Sequence, residues 1–266
     1  MQKKYNRLVE IIKDMESVVV AFSGGVDSTL LLKVAQDTLG DRVIAVTITS
    51  PFHAKWEETE ARELAVKIGA KHIMLPKTLE NGALKYNPVN RCYLCKKDVF
   101  SDIQDYAARN GYQWVADGTN QDDAADYRPG MQALRELNIR SPLLEAGMTK
   151  QEIRELSEKM GLTTWDKPPY ACLLTRIPYG QEIKEEDLQR VDQAESYLMS
   201  LGFRQVRVRL HGNMGRIEVA KEEFAEILKI HKLEQINQVF KELGFQYAAL
   251  DLEGYRTGKM NDGIVR

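Results

Sequence analysis

Val18-Val19-Val20-Ala21-Phe22-Ser23-Gly24-Gly25-Val26-Asp27-Ser28-Thr29-Leu30-Leu31-Leu32-Lys33-Val34 reads as a strand, a glycine turn and the start of a helix. The β-branched run before Ser23 suits a buried strand, and the run after Ser28 continues as a helix. Two adjacent glycines let the chain turn tightly and expose successive N–H groups, and a helix start adds roughly half a positive charge. Ser23 and Ser28 can donate hydroxyl hydrogen bonds to the same anion, and Asp27 can hold a Mg2+ ion that shares it. The loop therefore fits a pyrophosphate. A Walker A loop needs a Lys-Ser/Thr pair after its last glycine, and a dinucleotide fingerprint needs G-x-G-x-x-G; neither is present here.

Working outward, short apolar strands are expected at Ser17–Phe22, Val43–Thr49, His72–Leu75 and Trp114–Asp117, with a weaker fifth at Ile139–Leu144 that Pro142 interrupts. Helices are expected between them at Ser28–Thr38, Trp56–Ile68 and Lys96–Arg109, with Gly40, Gly69 and Gly111 as stop signals. Alternating strand and helix of this length predicts an α/β fold with a doubly wound, mostly parallel sheet. Ligands in such folds sit at the carboxyl edge of the strands, where the 23–28 loop lies. Thr149 with Glu152 forms a capping box ahead of another helix ending near Gly161.

Trp165-Asp166-Lys167-Pro168-Pro169 cannot be helical and reads as a hinge. Beyond it the rhythm changes. A long helix at Lys184–Leu201, strands at Gln205–Leu210 and Arg216–Ala220, two helices up to Leu243 and a last strand at Tyr247–Leu252 describe a small α+β unit. The expected division is residues 1–170 for the nucleotide domain and 171–266 for a substrate-binding and oligomerisation domain.

The chain has 266 residues, enough for one substantial core and a smaller unit. A net charge of −2 argues against a broadly basic nucleic-acid surface. No export signal and no apolar run of membrane length are present, so a cytoplasmic protein is expected. Three cysteines, an odd number, do not suggest a disulfide framework.

Cys92-Tyr93-Leu94-Cys95 is placed at a loop-to-helix junction, and Cys172 follows the double proline. Two cysteines three apart, joined by a third, can ligate a [4Fe-4S] cluster with one open iron. The same residues also admit a zinc site completed by a histidine such as His53, a thiol–disulfide pair with Cys172 as acceptor, or a lone sulfur-donating Cys172. Asp117-Gly118-Thr119-Asn120 is either a plain Asp/Gly turn or a nucleotide contact. Asp122 and Asp123 read as solvated, whereas Arg128 is a candidate phosphate contact. Alternation along Val206–His211 places Arg207, Arg209 and His211 on one strand face, which is either solvated or suited to a phosphate monoester.

The S-G-G-V-D-S loop resembles that of the ATP pyrophosphatase (PP-loop) superfamily, which implies ATP cleavage between its alpha and beta phosphates and adenylation of a substrate. Further segments narrow the likeness. They are Asp126–Gly130 (D-Y-R-P-G), Cys172 ahead of Arg176-Ile177-Pro178-Tyr179-Gly180, the R-V-R-L-H strand, Arg216-Ile217-Glu218, and L-D-L-E-G-Y-R-T-G at Leu250–Gly258. From about Val18 to Asp262 the chain resembles the LarE family, the sulfur transferases of nickel-pincer nucleotide biosynthesis.

That resemblance implies MgATP-dependent adenylation of a carboxylate of pyridinium-3,5-biscarboxylic acid mononucleotide, followed by conversion to a thiocarboxylate. It places the sulfur-bearing cysteine at Cys172 and the substrate-site positions at Arg176, Glu195, Arg207 and Arg209, and it implies a homo-oligomer, commonly a hexamer. The family's best-known pattern carries a tryptophan where Cys92 stands; the CxxC pair here resembles its three-cysteine, iron–sulfur branch, in which an extra sulfide sits on the open iron. The sulfur donor is not specified by these residues. An iron–sulfur-dependent tRNA thiolase using the same loop is the alternative enzyme, and the net charge speaks against it.

Overall fold

The structure is a computed structural model of the chain and describes residues 1–78, 82–124, 129–169, 171–256 and 258–260, the side chains of Ala124 and Pro129 excepted. In chain order its first part comprises α1 (Gln2–Asp14), β1 (Val18–Ala21), α2 (Val26–Leu39), β2 (Val43–Thr49), α3 (Lys55–Ile68) and β3 (Lys71–Pro76). There follow α4 (Arg91–Arg109), β4 (Trp114–Ala116), α5 (Gln121–Ala124), α6 (Pro129–Glu136), α7 (Pro142–Glu145) and α8 (Lys150–Lys159). The last part contains α9 (Glu185–Ser200), β5 (Arg207–His211), β6 (Met214–Glu218), α10 (Phe224–Ile227), α11 (Ile230–Glu242) and β7 (Tyr247–Leu250).

Two compact units divide these elements. One comprises Met1–Ser50, Lys55–Thr78 and Asn90–Tyr170; the other comprises Pro51–Ala54, Leu79–Val89 and Ala171–Arg266. In the first, four parallel strands run in the order β3-β2-β1-β4. Alternation along β1 sends Val18 and Val20 to one cluster, with Leu8, Ile12, Leu30, Leu31 and Ile153, and Val19 to another, with Phe100, Ile103, Ala107 and Leu134. Helices therefore cover both faces, and strands buried on both sides can be as uniformly apolar as Val18–Val20. The doubly wound α/β sheet expected from the sequence is the observed one.

Chain order along the sheet reverses at β1: its neighbour on one side is β2 and on the other β4. The loops after β1 and β4 leave the sheet side by side at this switch point, which opens the crevice that α/β sheets use for ligands.

The expected fifth strand at Ile139–Leu144 does not form. A single parallel bridge joins Arg140 to Ala116, with Asp117 N–H donating to Arg140 O at 2.9 Å and Arg140 N–H to Val115 O at 3.0 Å. Pro142 has no N–H to extend the ladder, and its fixed φ suits the first residue of a helix, so it opens α7. The helix expected from Lys96 begins at Arg91, which moves Cys92 and Cys95 from a loop junction into its first turn. The capping box is present: Thr149 Oγ1 accepts from Glu152 N–H at 3.3 Å, and Glu152 Oε2 accepts from Thr149 N–H at 2.9 Å.

In the second unit a three-stranded sheet runs β5-β6-β7, with β5 antiparallel and β7 parallel to β6. Among the described residues no helix is long and apolar enough to cross a membrane.

Beside β1, Thr47 donates its hydroxyl hydrogen to Phe22 O at 2.7 Å and lies 2.8 Å from His72 Nε2. Having given away its one hydrogen, Thr47 can only accept from the ring, so His72 carries its proton on Nε2. Burial, helped by Arg62, lowers the pKa of His72 below its ordinary 6.5. The unfolded chain therefore binds more protons than the folded one as pH drops below 6.5. Stability from this group is complete above that value and is lost as pH falls through the folded pKa. The urea midpoint should fall between about pH 7.5 and about pH 5.5, and by less in His72→Gln, which keeps an N–H donor but does not titrate. An equal drop in both proteins would contradict this role.

Candidate functional site

The loop after β1 follows from the residues in it. Gly24 adopts φ +69°, a conformation that favours glycine, and a Cβ there would stand 3.3 Å from Ala61 Cα, a tight contact with α3. Gly25 caps α2, and no side chain closes the helix's first turn, so its backbone N–H groups are left for an anion. Ser23 and Ser28 hydroxyls lie 3.1 Å apart; Ser28 also donates to Gly25 O at 3.2 Å, and Ser23 Oγ accepts from Gly25 N–H at 3.4 Å. The hydroxyls are thus gathered on one side of the turn, with Ser28 buried and Ser23 exposed.

The segment after β4 lies directly against this loop. A Cβ on Gly118 would be 2.9 Å from Ser28 N and 3.1 Å from Asp27 Cβ. Only glycine lets the two switch-point loops approach so closely, which removes the reading of Asp117–Asn120 as a turn unrelated to the loop. Asn120 Nδ2 donates to Asp27 Oδ1 at 3.2 Å, and its Oδ1 accepts from Asp122 N–H at 2.9 Å. Asp117 is buried and accepts from the hydroxyls of Thr119 and Ser141, with Lys96 Nζ 3.9 Å from its Oδ2. Asp122 is exposed and Asp123 half-buried, and beyond the expected solvation each has a backbone partner: Asp122 Oδ2 accepts from Lys150 N–H at 2.7 Å, and Asp123 Oδ2 from Asn120 N–H at 3.0 Å.

Two lysines that sequence reasoning passed over complete the surroundings. Lys150, the first residue of α8, pairs its ammonium with Asp27 Oδ2. Lys167 donates to Gly24 O at 3.0 Å, pairs with Glu60, and sits 5.6 Å from the Trp56 ring. The signals were weak: Lys150 follows an N-cap, and Lys167 precedes the double proline that reads as a hinge. Arg128 lies outside the described residues.

The donors suit ATP and Mg2+. Mg2+ takes one or two carboxylates and completes its shell with phosphate oxygens and water, and Asp27 at the mouth of an uncapped helix offers that carboxylate. The cysteines fit a cluster less well. Cys92 and Cys95 are one turn apart on α4. Among the described residues no group of three His, Cys, Asp or Glu side chains gathers to hold a metal.

In the second unit Cys172 precedes a short 3-10 turn, Leu173–Arg176. Arg176 binds Glu195 through two parallel 2.8 Å bonds and donates to Ala171 O at 2.6 Å and Cys172 O at 3.1 Å, so this guanidinium shapes the backbone at the cysteine. Asn87, in the left-handed region at φ 45°, donates from Nδ2 to Leu174 O at 3.1 Å and Ile177 O at 2.6 Å, fixing the other side of the same turn.

The solvated reading of the arginine strand is overturned, because Arg207 and Arg209 are buried and only His211 is exposed. Arg209 forks onto Glu218 at 3.1 and 3.0 Å and donates to Thr175 O at 2.7 Å. Glu195 also accepts Val208 N–H at 2.8 Å, joining α9 to β5. Arg207 lies 5.2 Å from the Tyr255 ring, and burial and then the like charge of Arg176 push its pKa down. A guanidinium in that position favours an anion.

The family model described as NAD synthase matches residues 4–84. An uncharacterized protein of Synechocystis is 43% identical over 100% of this chain and 100% of its own length. A pyridinium-3,5-bisthiocarboxylic acid mononucleotide synthase of Lactiplantibacillus plantarum is 40% identical over 97% of this chain and 94% of its own. An uncharacterized protein of Methanocaldococcus jannaschii is 32% identical, covering 96% of both chains.

Gly118→Ala should lower the unfolding free energy by about 1–3 kcal/mol, the usual cost of overpacking a tight contact. Urea denaturation measures it, and an unchanged midpoint would mean that the two loops give way freely.

Proposed function

Because the chain belongs to the LarE family of pyridinium-3,5-bisthiocarboxylic acid mononucleotide synthases, we propose that it is an ATP-dependent sulfurtransferase acting on a pyridinium mononucleotide dicarboxylate. The observation that carries the ATP step is the uncapped first turn of α2, with Asp27 beside it, at the switch point of a parallel sheet. A substrate carboxylate oxygen attacks the alpha phosphorus of ATP and the bond to the bridging oxygen breaks. The pyrophosphate leaves with that electron pair, its charge met by the loop's N–H groups and the Ser23 and Ser28 hydroxyls. Asp27 would hold a Mg2+ ion, which would supply further neutralisation of the leaving group.

Adenylation is needed because a carboxylate oxygen is a poor leaving group, whereas AMP is a good one. A sulfur nucleophile delivered at Cys172 then attacks the carbonyl carbon, and AMP departs with the bonding electrons. Arg207, Arg209, Arg176 and Glu195 form the substrate-holding set in this reading. Arg207, buried beside the Tyr255 ring, contributes a guanidinium for the mononucleotide phosphate, and the two Glu-paired arginines hold the surrounding backbone. Arg128 is retained as a further phosphate contact. The division into an ATP-handling part, 1–170, and a substrate-binding and oligomerisation part, 171–266, with assembly into a homo-oligomer such as a hexamer, belongs to the same reading.

Cys92, Cys95 and Cys172 are the proposed thiolate ligands of a [4Fe-4S] cluster, supported by the CxxC pair and the third cysteine. Among the described residues no three-ligand group is gathered.

With MgATP and the pyridinium dicarboxylate mononucleotide, the protein should release pyrophosphate and AMP, and Asp27→Ala should release neither above background. Undiminished release by that variant would remove Asp27 from the reaction. Anaerobic reconstitution should yield about four irons per chain, lost when all three cysteines become alanine. Iron retained by the triple variant, or no iron taken up by the parent, would rule out the cluster.

A further inference from the structure

Lys150 stands where its charge is locally unfavourable. As the first residue of α8 it places an ammonium beside the positive end of a helix dipole, a position that favours carboxylates. Its backbone is held firmly. Lys150 N–H donates to Asp122 Oδ2 at 2.7 Å, Gln121 N–H to Met148 O at 2.9 Å, and the Thr149–Glu152 box fixes the preceding residue. Lys4 Nζ, 2.7 Å from Glu152 Oε2, ties α1 to the same box. From this fixed root the side chain reaches Asp27 across 123 residues of sequence.

Both oxygens of Asp27 are thereby engaged, Oδ2 by the ammonium and Oδ1 by the Asn120 carboxamide at 3.2 Å. The carboxamide is neutral and can share its oxygen with a cation. The ammonium cannot, because it places a unit positive charge where a divalent ion would have to sit. Its side chain and that of Asp27 are 35% and 21% exposed, so the pair is neither fully screened nor locked in the interior, and a four-carbon stem can swing. A polyphosphate at the α2 N-terminus would set several anionic oxygens within that swing.

We propose that Lys150 makes divalent-cation binding at Asp27 conditional on a nucleoside triphosphate. Its ammonium holds the carboxylate until polyphosphate oxygens at the loop offer it another anion, and only then is Asp27 released to the metal. The proposal rests on the reading of Asp27 as the metal ligand.

Mn2+ titrated into the nucleotide-free protein, with the free ion followed by electron paramagnetic resonance, tests it. Lys150→Met and the more conservative Lys150→Gln should bind Mn2+ at least about fivefold tighter than the parent, the factor expected when an ion pair of roughly 1 kcal/mol no longer competes. Lys150→Arg, which keeps the cation, should stay as weak as the parent. Adding Asp27→Asn to either neutral variant should abolish the gain. A gain that survives Asp27→Asn would overturn the metal-ligand reading of Asp27. No gain in either neutral variant, with pyrophosphate release still dependent on Asp27, would overturn the role of Lys150 alone.

Discussion

Backbone N–H groups at the start of α2, closed by no side-chain cap, are the constraint around which the first unit is arranged. Such donors are stable only where an anion or water can reach them, so the loop must lie at an open edge of the sheet. The parallel β3-β2-β1-β4 order supplies that edge by reversing at β1. Glycines then bring the neighbours in. At Gly24 the limit is the α3 backbone, and at Gly118 it is the amide of Ser28 itself. Asp27 and Asn120 are placed by those approaches, and Lys150 by the cap of α8.

In the second unit the comparable role falls to buried ion pairs. Arg176–Glu195 and Arg209–Glu218 are nearly solvent-free; Arg176, Glu195 and Arg209 also bond backbone, and Glu218 accepts from Arg216 as well. Pairs of this kind contribute modest net stability, since desolvation offsets most of the attraction, but losing one partner leaves a costly buried charge. Their consequence here is geometric: Glu195 joins α9 to β5, and Arg209 joins β5 to the turn that begins at Cys172. Arg209 thus serves the packing of the second unit from the strand that also carries Arg207.

Much of the architecture was legible in the chain because its signals are local. Strand, glycine turn and helix at Val18–Val34 were each readable from composition, as was the Thr149 capping box. Where reading failed, a competing local preference explains it. Pro142 could not extend a strand, and Arg91 to Cys95 joined the helix behind them. Arg207 and Arg209 carried an ambiguous pattern, since alternation assigns a face but not whether water or a carboxylate meets it.

Residue order alone determined a strand, glycine turn and helix on a parallel α/β sheet, because backbone donors and glycine conformations depend on neighbours a few positions away. What surrounds that loop came from contacts between distant segments. Lys150 meets Asp27, Lys167 meets Gly24, and Gly118 meets Ser28 across separations that leave no periodic trace in the sequence. Those encounters exist because the switch point brings two loops together, and charge pairing selects which side chains close the gap.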